Sequence, residues 1–305
     1  MRCLVTILLV LILISTLFAI QQMSAVQQEK YSVSVSTDLV SLSVSVTRRA
    51  GGFVLGLDKV DFRIYEDGIE QVISFFNPEK EPVSWGVILD RSRSMEGMIR
   101  QVSAAGIHII DEGTPQDEMF ILAFNEKAQL VRDFDSDRKS REMSVHDLRA
   151  DGYTALWDAV AYGLDHIKTG RHRKKVLVVV TDGEDNRSRF TFRELINRAE
   201  EEHVLIYTIG MFDRFSGETS KLKKLAQITG ATAHFPRSLQ HCLASMDQIA
   251  SEVGQQYSLG YYPTNAARDG QWRKIQVVVQ QPDAKSTFVV RTRPGYYAQK
   301  EATAK

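Results

Sequence analysis

KVLVVVTDGED, residues 175–185, decides the fold. Residues 176–180 are a continuous apolar run, mostly β-branched, with no polar position left for a wet face. A strand of that kind is buried on both sides, as in the middle of a parallel sheet. Outward from it, strands and helices alternate. VSWGVILD (83–90) reads as a strand, followed by a helix near 95–111. EMFILAFN (118–125) and QLVRDF (129–134) read as a strand pair, with a short helix near 138–149 and an amphipathic one at 155–167. Beyond 185, helices are expected at 191–202, 218–229 and 238–255, and strands at 203–211 and 232–235. Repeated alternation predicts an α/β fold, doubly wound and Rossmann-like, with a mostly parallel sheet spanning 83–256.

The flanks have a different texture. YSVSVSTDLVSLSVSVT (31–47) alternates apolar and hydroxyl residues with period two, which predicts a strand with one wet face. FRIYEDGIEQVISFF (62–76) places Asp67-Gly68 between two β-rich runs, a hairpin signal. At the other end YSLGYYP (257–263), WRKIQVVVQ (272–280) and TFVVRTR (287–293) read as three strands. A lone hairpin is marginally stable, so segments 31–80 and 257–298 are expected to pair into one small all-β domain beside the α/β domain.

The chain has 305 residues, 43% hydrophobic and 25% charged, proportions of an ordinary globular protein, which excludes extensive disorder. Lys plus Arg and Asp plus Glu are each 38, so there is no electrostatic case for a nucleic-acid partner. A basic run at 168–175 precedes the central strand and reads as a solvated loop. Of two cysteines, Cys3 lies in the leader and Cys242 at an apolar helix position, where it packs as a small hydrophobe, so the mature chain forms no internal disulfide. Arg2 followed by the apolar run 4–20 predicts an export signal within residues 1–25, with a retained membrane anchor at 4–20 as the alternative. Either way the protein is expected outside the cytoplasm: secreted, periplasmic or anchored in the envelope.

In doubly wound sheets ligands bind at the carboxyl ends of the strands. Three segments stand there: Asp90-Arg91-Ser92-Arg93-Ser94, Asp151-Gly152-Tyr153-Thr154, and Thr181-Asp182-Gly183-Glu184-Asp185. Asp-x-Ser-x-Ser puts three short oxygen side chains at alternate positions, so that all can face one point. Thr154 adds a hydroxyl and Asp182 a second carboxylate. An oxygen-only set with two carboxylates suits a hard divalent cation, Mg²⁺ first, with Mn²⁺ or Ca²⁺ as substitutes.

These segments resemble the metal-ion-dependent adhesion site of von Willebrand factor A domains. The resemblance implies that Ser92, Ser94 and Thr154 hold Mg²⁺ more directly and that Asp90 and Asp182 act chiefly through water. It also implies a protein partner whose acidic side chain completes the coordination. The flanks are similar to those of secreted bacterial von Willebrand factor A-related proteins, in DFRIYEDGIEQVISFF (61–76), YSLGYYPTN (257–265), DGQWRKIQV (269–277) and RPGYYA (293–298). Arg91 and Arg93 depart from the family, which often has small residues there. Pointing outward they attract acidic partners; pointing inward they compete with the cation.

Single residues have blander roles. Ser94 and Thr154 suit helix capping, Asp158 a helix surface or cap, and Glu184 and Asp185 a loop exterior. Asp133, Asp135 and Asp137 suggest an EF-hand loop, but Arg138 stands where its Gly belongs and Ser144 where its Glu belongs. No G-x-S-x-G, P-loop or H-E-x-x-H is present, so no catalytic residue is assigned and a non-enzyme is expected. Two alternatives stay open: a Mg²⁺-dependent hydrolase using Asp90 or Asp182, and a structural envelope protein with a vestigial site.

Overall fold

The computed structural model describes residues 39–78, 80–134, 137–211, 219–280 and 288–300. The leader expected at 1–25 and Asp135 lie outside them. Among the described residues no helix is long and apolar enough to cross a membrane.

At the centre is a six-stranded sheet in the order β10-β9-β8-β5-β6-β7. Its strands are β5 (Val83–Asp90), β6 (Glu118–Phe124), β7 (Ala128–Arg132), β8 (Lys174–Thr181), β9 (Val204–Gly210) and β10 (Ala233–His234). All neighbours are parallel except β7, which turns back antiparallel on β6. Among the described residues six α-helices cover it: α1 (Ile99–Glu112), α2 (Arg138–His146), α3 (Leu156–Ile167), α4 (Phe192–Glu201), α5 (Thr219–Thr229) and α6 (Leu239–Gly254). Alternation along the buried strands distributes them. Val176, Val178 and Val180 pack with α1, α2 and α6, including Cys242, while Leu177 and Val179 pack with α3, α4 and α5. The uninterrupted apolar run at 176–180 is what a sheet covered on both faces requires.

Two four-stranded antiparallel sheets, β13-β1-β11-β4 and β14-β12-β2-β3, accompany it and share one apolar core. Here β1 is Val40–Arg48, β2 Phe62–Glu66, β3 Ile69–Gln71, β4 Ile73–Asn77, β11 Tyr257–Tyr261, β12 Trp272–Val279, β13 Phe288–Arg291 and β14 Gly295–Tyr297. N-terminal β1 lies between C-terminal β11 and β13, and β2 beside β12. The hairpin of β2 and β3 turns at Asp67 (φ 50°) and Gly68 (φ 85°), a left-handed pair that Asp-Gly accommodates.

Three details differ from expectation. Residues 93–98 form a 3₁₀ turn before α1 begins at Ile99, with Met95 buried beneath it. The strand β14 is three residues long, too short to show a period. The hydroxyl face of β1 is not wet throughout: Ser45 is buried, its hydroxyl donating to Glu252 of α6 at 3.2 Å.

Candidate cation site at the carboxyl edge of the sheet

The chain leaves β5 to one side of the sheet and returns to build β8 on the other, so the switch point lies between these two strands. Asp90 is the last residue of β5. The parallel register pairs Leu89 with Val180, which sets Thr181 beside Asp90. The Thr181 hydroxyl donates to Asp90 Oδ2 at 2.7 Å, and the Ser92 amide donates to Oδ1 at 2.9 Å. Asp90 is wholly buried, and burial pushes its carboxyl up to about 6 despite the hydrogen bonds from Ser92 and Thr181. The nearby charge of Asp182 acts in the same direction as burial.

Ser92 is buried and its Oγ lies 3.0 Å from that of exposed Ser94. Two backbone bonds join this loop to the one before α3: Arg93 N–H to Gly152 O (3.0 Å) and Asp151 N–H to Arg91 O (2.9 Å). Gly152 (φ 77°) makes the approach possible, since a Cβ there would stand 3.0 Å from Asn125 Nδ2 in a backbone region side chains avoid. The loop after β8 is tied in next. Asn186 and Arg187 amides donate to Thr154 O (3.0 and 2.9 Å), and Asn186 Oδ1 accepts from Thr154 N–H at 3.0 Å. The three segments singled out in the sequence are thus linked loop to loop.

The blander roles can now be placed. Neither Ser92, which precedes the 3₁₀ turn, nor the residue preceding α1 makes a side-chain capping bond, and α3 is preceded by Ala155. The start of α3 is served instead by Asp185, which accepts from the Leu156 and Trp157 amides at 2.8 and 3.4 Å. Asp185 is therefore half-buried structure, not loop exterior, and burial raises its pKa. Asp158 accepts from the Arg189 and Phe190 amides, both at 2.9 Å, and so anchors the segment before α4. Thr181 and Asn125 carried no sequence signal. Asn125 joins the cluster by donating to Asp151 O at 3.1 Å and accepting at its own carbonyl from Ala155 N–H.

A hard cation fits this donor set. Asp90 is a buried carboxylate with no cationic side chain paired to it among the described residues, and the Ser92, Ser94 and Thr154 oxygens are not used as helix caps. Arg93 does not fill the gap: its side chain is 78% exposed and its guanidinium lies 3.7 Å from Asp151. A separate group, His108, Glu112 and Asp247, sits between α1 and α6 and forms no part of these loops.

The von Willebrand factor type A domain family model matches residues 86–247. No curated protein matches the chain. Similar solved structures include the von Willebrand domain of the type V pili tip protein Mfa5 from Porphyromonas gingivalis. It is 13% identical with TM-score 0.50, over 56% of this chain and 95% of that one. A von Willebrand factor type A protein from Catenulispora acidiphila is 14% identical with TM-score 0.50, over 88% and 76%. Proximal thread matrix protein 1 from the mussel byssus is 15% identical with TM-score 0.51, over 62% and 50%. At such identities the likeness speaks for the fold alone. The family match covers more than half of the chain and contains the whole loop cluster: this protein belongs to the von Willebrand factor type A domain family.

Proposed function

We propose that the chain is an exported protein-binding module that recognises its partner through a divalent cation, Mg²⁺ by preference, at the carboxyl edge of the central sheet. Ser92, Ser94 and Thr154 hold the ion directly, and Asp90 and Asp182 hold it chiefly through water. When bound, the cation supplies a coordination position for a carboxylate of the partner. One observation carries this reading. Three hydroxyl residues not spent on helix caps share a loop cluster with a buried carboxylate that, among the described residues, no cationic side chain neutralises.

The chain's own residues do the positioning. Thr181 and the Ser92 amide fix the Asp90 carboxylate, so its orientation is set before any ion arrives. Arg93, exposed at the rim, draws acidic partners in and accelerates encounter, an effect that salt screens. A binding role is favoured over catalysis because both Asp90 oxygens already accept hydrogen bonds and the serine and threonine hydroxyls supply neither acid nor base. The likeness to a pilus tip protein's domain supports display at the cell surface, either released or anchored through residues 4–20.

Calorimetric titration with Mn²⁺ and Mg²⁺ tests the site. Asp90→Ala and Ser92→Ala are expected to weaken cation binding at least about tenfold, roughly 1.4 kcal/mol, while the urea midpoints show both variants folded. Capture of an envelope protein should require Mg²⁺ and fail in EDTA and in both variants. Capture that survives all three would overturn partner recognition through the ion. Absence of cation binding at millimolar concentration would leave a vestigial site, and phosphoester turnover lost in Asp90→Ala would make the protein a hydrolase.

A further inference from the structure

At the opposite, amino-terminal edge of the parallel sheet, a cavity of about 390 Å³ opens between the sandwich and the starts of β8 and β9. It is of the size that holds small organic ligands. The basic run read in the sequence as a solvated loop forms part of its wall. Arg173, Lys174 and Lys175 all line it, and Lys174 is only 7% exposed.

What these three cations touch is informative. Arg173 donates to Ser41 Oγ and stacks over the Phe75 ring, 4.7 Å from its centroid. Lys174 donates to the Val253 carbonyl, and Lys175 to the carbonyls of Ile167 (3.0 Å) and Gly170 (2.8 Å). Every one of these partners is neutral. The acidic groups on the same wall make their hydrogen bonds and ion pairs with other residues, although the charge of Glu81 acts on Lys174. Glu202 pairs with Lys168, and the Glu81 oxygens accept from Asn77 Nδ2 (2.9 Å) and Ser258 Oγ (3.1 Å).

A further cation stands behind the wall. Arg293 is buried, donates to His203 Nδ1 of the cavity lining, and has its Nε and Nη2 without hydrogen-bond partners among the described residues. Among the described residues none of Arg173, Lys174 and Lys175 forms an ion pair with a carboxylate, although the charges of Glu81, Glu252 and Asp117 act on Lys174 and that of Glu118 on Lys175. The lining as a whole sets Lys168 and these three cations against Glu81 and Glu202. A buried cation gains most from a counter-ion where water is scarce.

We propose that this cavity binds a small amphipathic organic anion, its carboxylate or phosphate set against Arg173 and Lys175 and its apolar body against Leu42, Phe75 and Leu259. Nothing in this site depends on the cation site at the other edge of the sheet. Burial pushes Lys174 down to about 8, against the opposing charges of Glu81, Glu252 and Asp117.

The test is calorimetric titration of the full chain, in EDTA and at constant ionic strength, with four probes: benzoate, phenyl phosphate, benzyl alcohol and inorganic phosphate. Benzoate or phenyl phosphate is expected to bind, whichever does so more tightly naming the anion class. Benzyl alcohol lacks the charge and inorganic phosphate the apolar body, so each should bind at least about tenfold more weakly. Arg173→Gln and Lys175→Gln should each weaken the better probe by about tenfold, and Arg63→Gln, on β2 and outside the cavity lining, should change nothing. If one of the two cavity variants fails to fold, the other still decides. Equal binding of benzyl alcohol, no binding of either aromatic anion at millimolar concentration, or unchanged affinity in the cavity variants would overturn the proposal.

Discussion

Asp90 shows how much a single side chain depends on its neighbour in the next strand. Its position could be read from the sequence because Asp-x-Ser-x-Ser follows an apolar strand. Its hydrogen-bond partner could not, because Thr181 reaches it only through the parallel register of β5 and β8. Thr181→Val keeps the shape of the side chain and removes both the donor to Asp90 and the acceptor of the Gly183 amide, leaving two buried groups without those bonds. Such a loss costs about 1–3 kcal/mol. Urea denaturation in EDTA should show a lowered midpoint of that size, and an unchanged midpoint would mean that the bonds contribute nothing. The same register explains the oxygen set: Ser92 and Ser94 are local to one loop, whereas Asp182 comes near Asp90 only because β8 lies beside β5.

Among the elements, α3 starts with a cap that no local spacing reveals. Thr154 stands where a capping residue is expected, yet the amides of Leu156 and Trp157 are served by Asp185, some thirty residues further on. A chain that uses Asp185 for this purpose leaves the Thr154 hydroxyl for other use and ties the loop after β8 to the helix that follows the other loop. Asp185→Ala should therefore lower stability by about 1–2 kcal/mol, the usual worth of a cap. In calorimetry it should also weaken Mn²⁺ binding by loosening two of the three loops. A midpoint equal to wild type would show that water replaces the carboxylate without cost. Long, strongly periodic elements such as β8, α3 and α6 were legible from apolar spacing alone. The three-residue β14 was not, since it owes its existence to pairing with β12.

Across the whole molecule, Lys174 joins parts that the sequence keeps far apart: at the start of β8, it donates to the carbonyl of Val253 in the last turn of α6. There the helix dipole favours a positive charge. Burial nevertheless outweighs this and lowers its pKa to about 8, below the ordinary 10.5. Between those values the unfolded chain holds a proton that the folded one has released, so stability rises with pH through this window. Below about pH 8 both states are protonated and the buried charge is carried at full cost. Wild type should gain stability between pH 8 and 9.5 relative to Lys174→Met, by at most about 1.4 kcal/mol per pH unit. Parallel pH dependences of the two urea midpoints would refute the assignment. By itself the sequence determined the α/β alternation, the β character of both flanks and the residue types at the strand ends, because periodicity and short motifs are local properties of a chain. Only the tertiary structure decided that Thr181 steadies Asp90, that Asp185 serves the first turn of α3 and that Lys174, near the end of a basic run, is buried. Each of those facts rests on which distant segments share a sheet edge, and proximity in space is set by packing that no window of sequence contains.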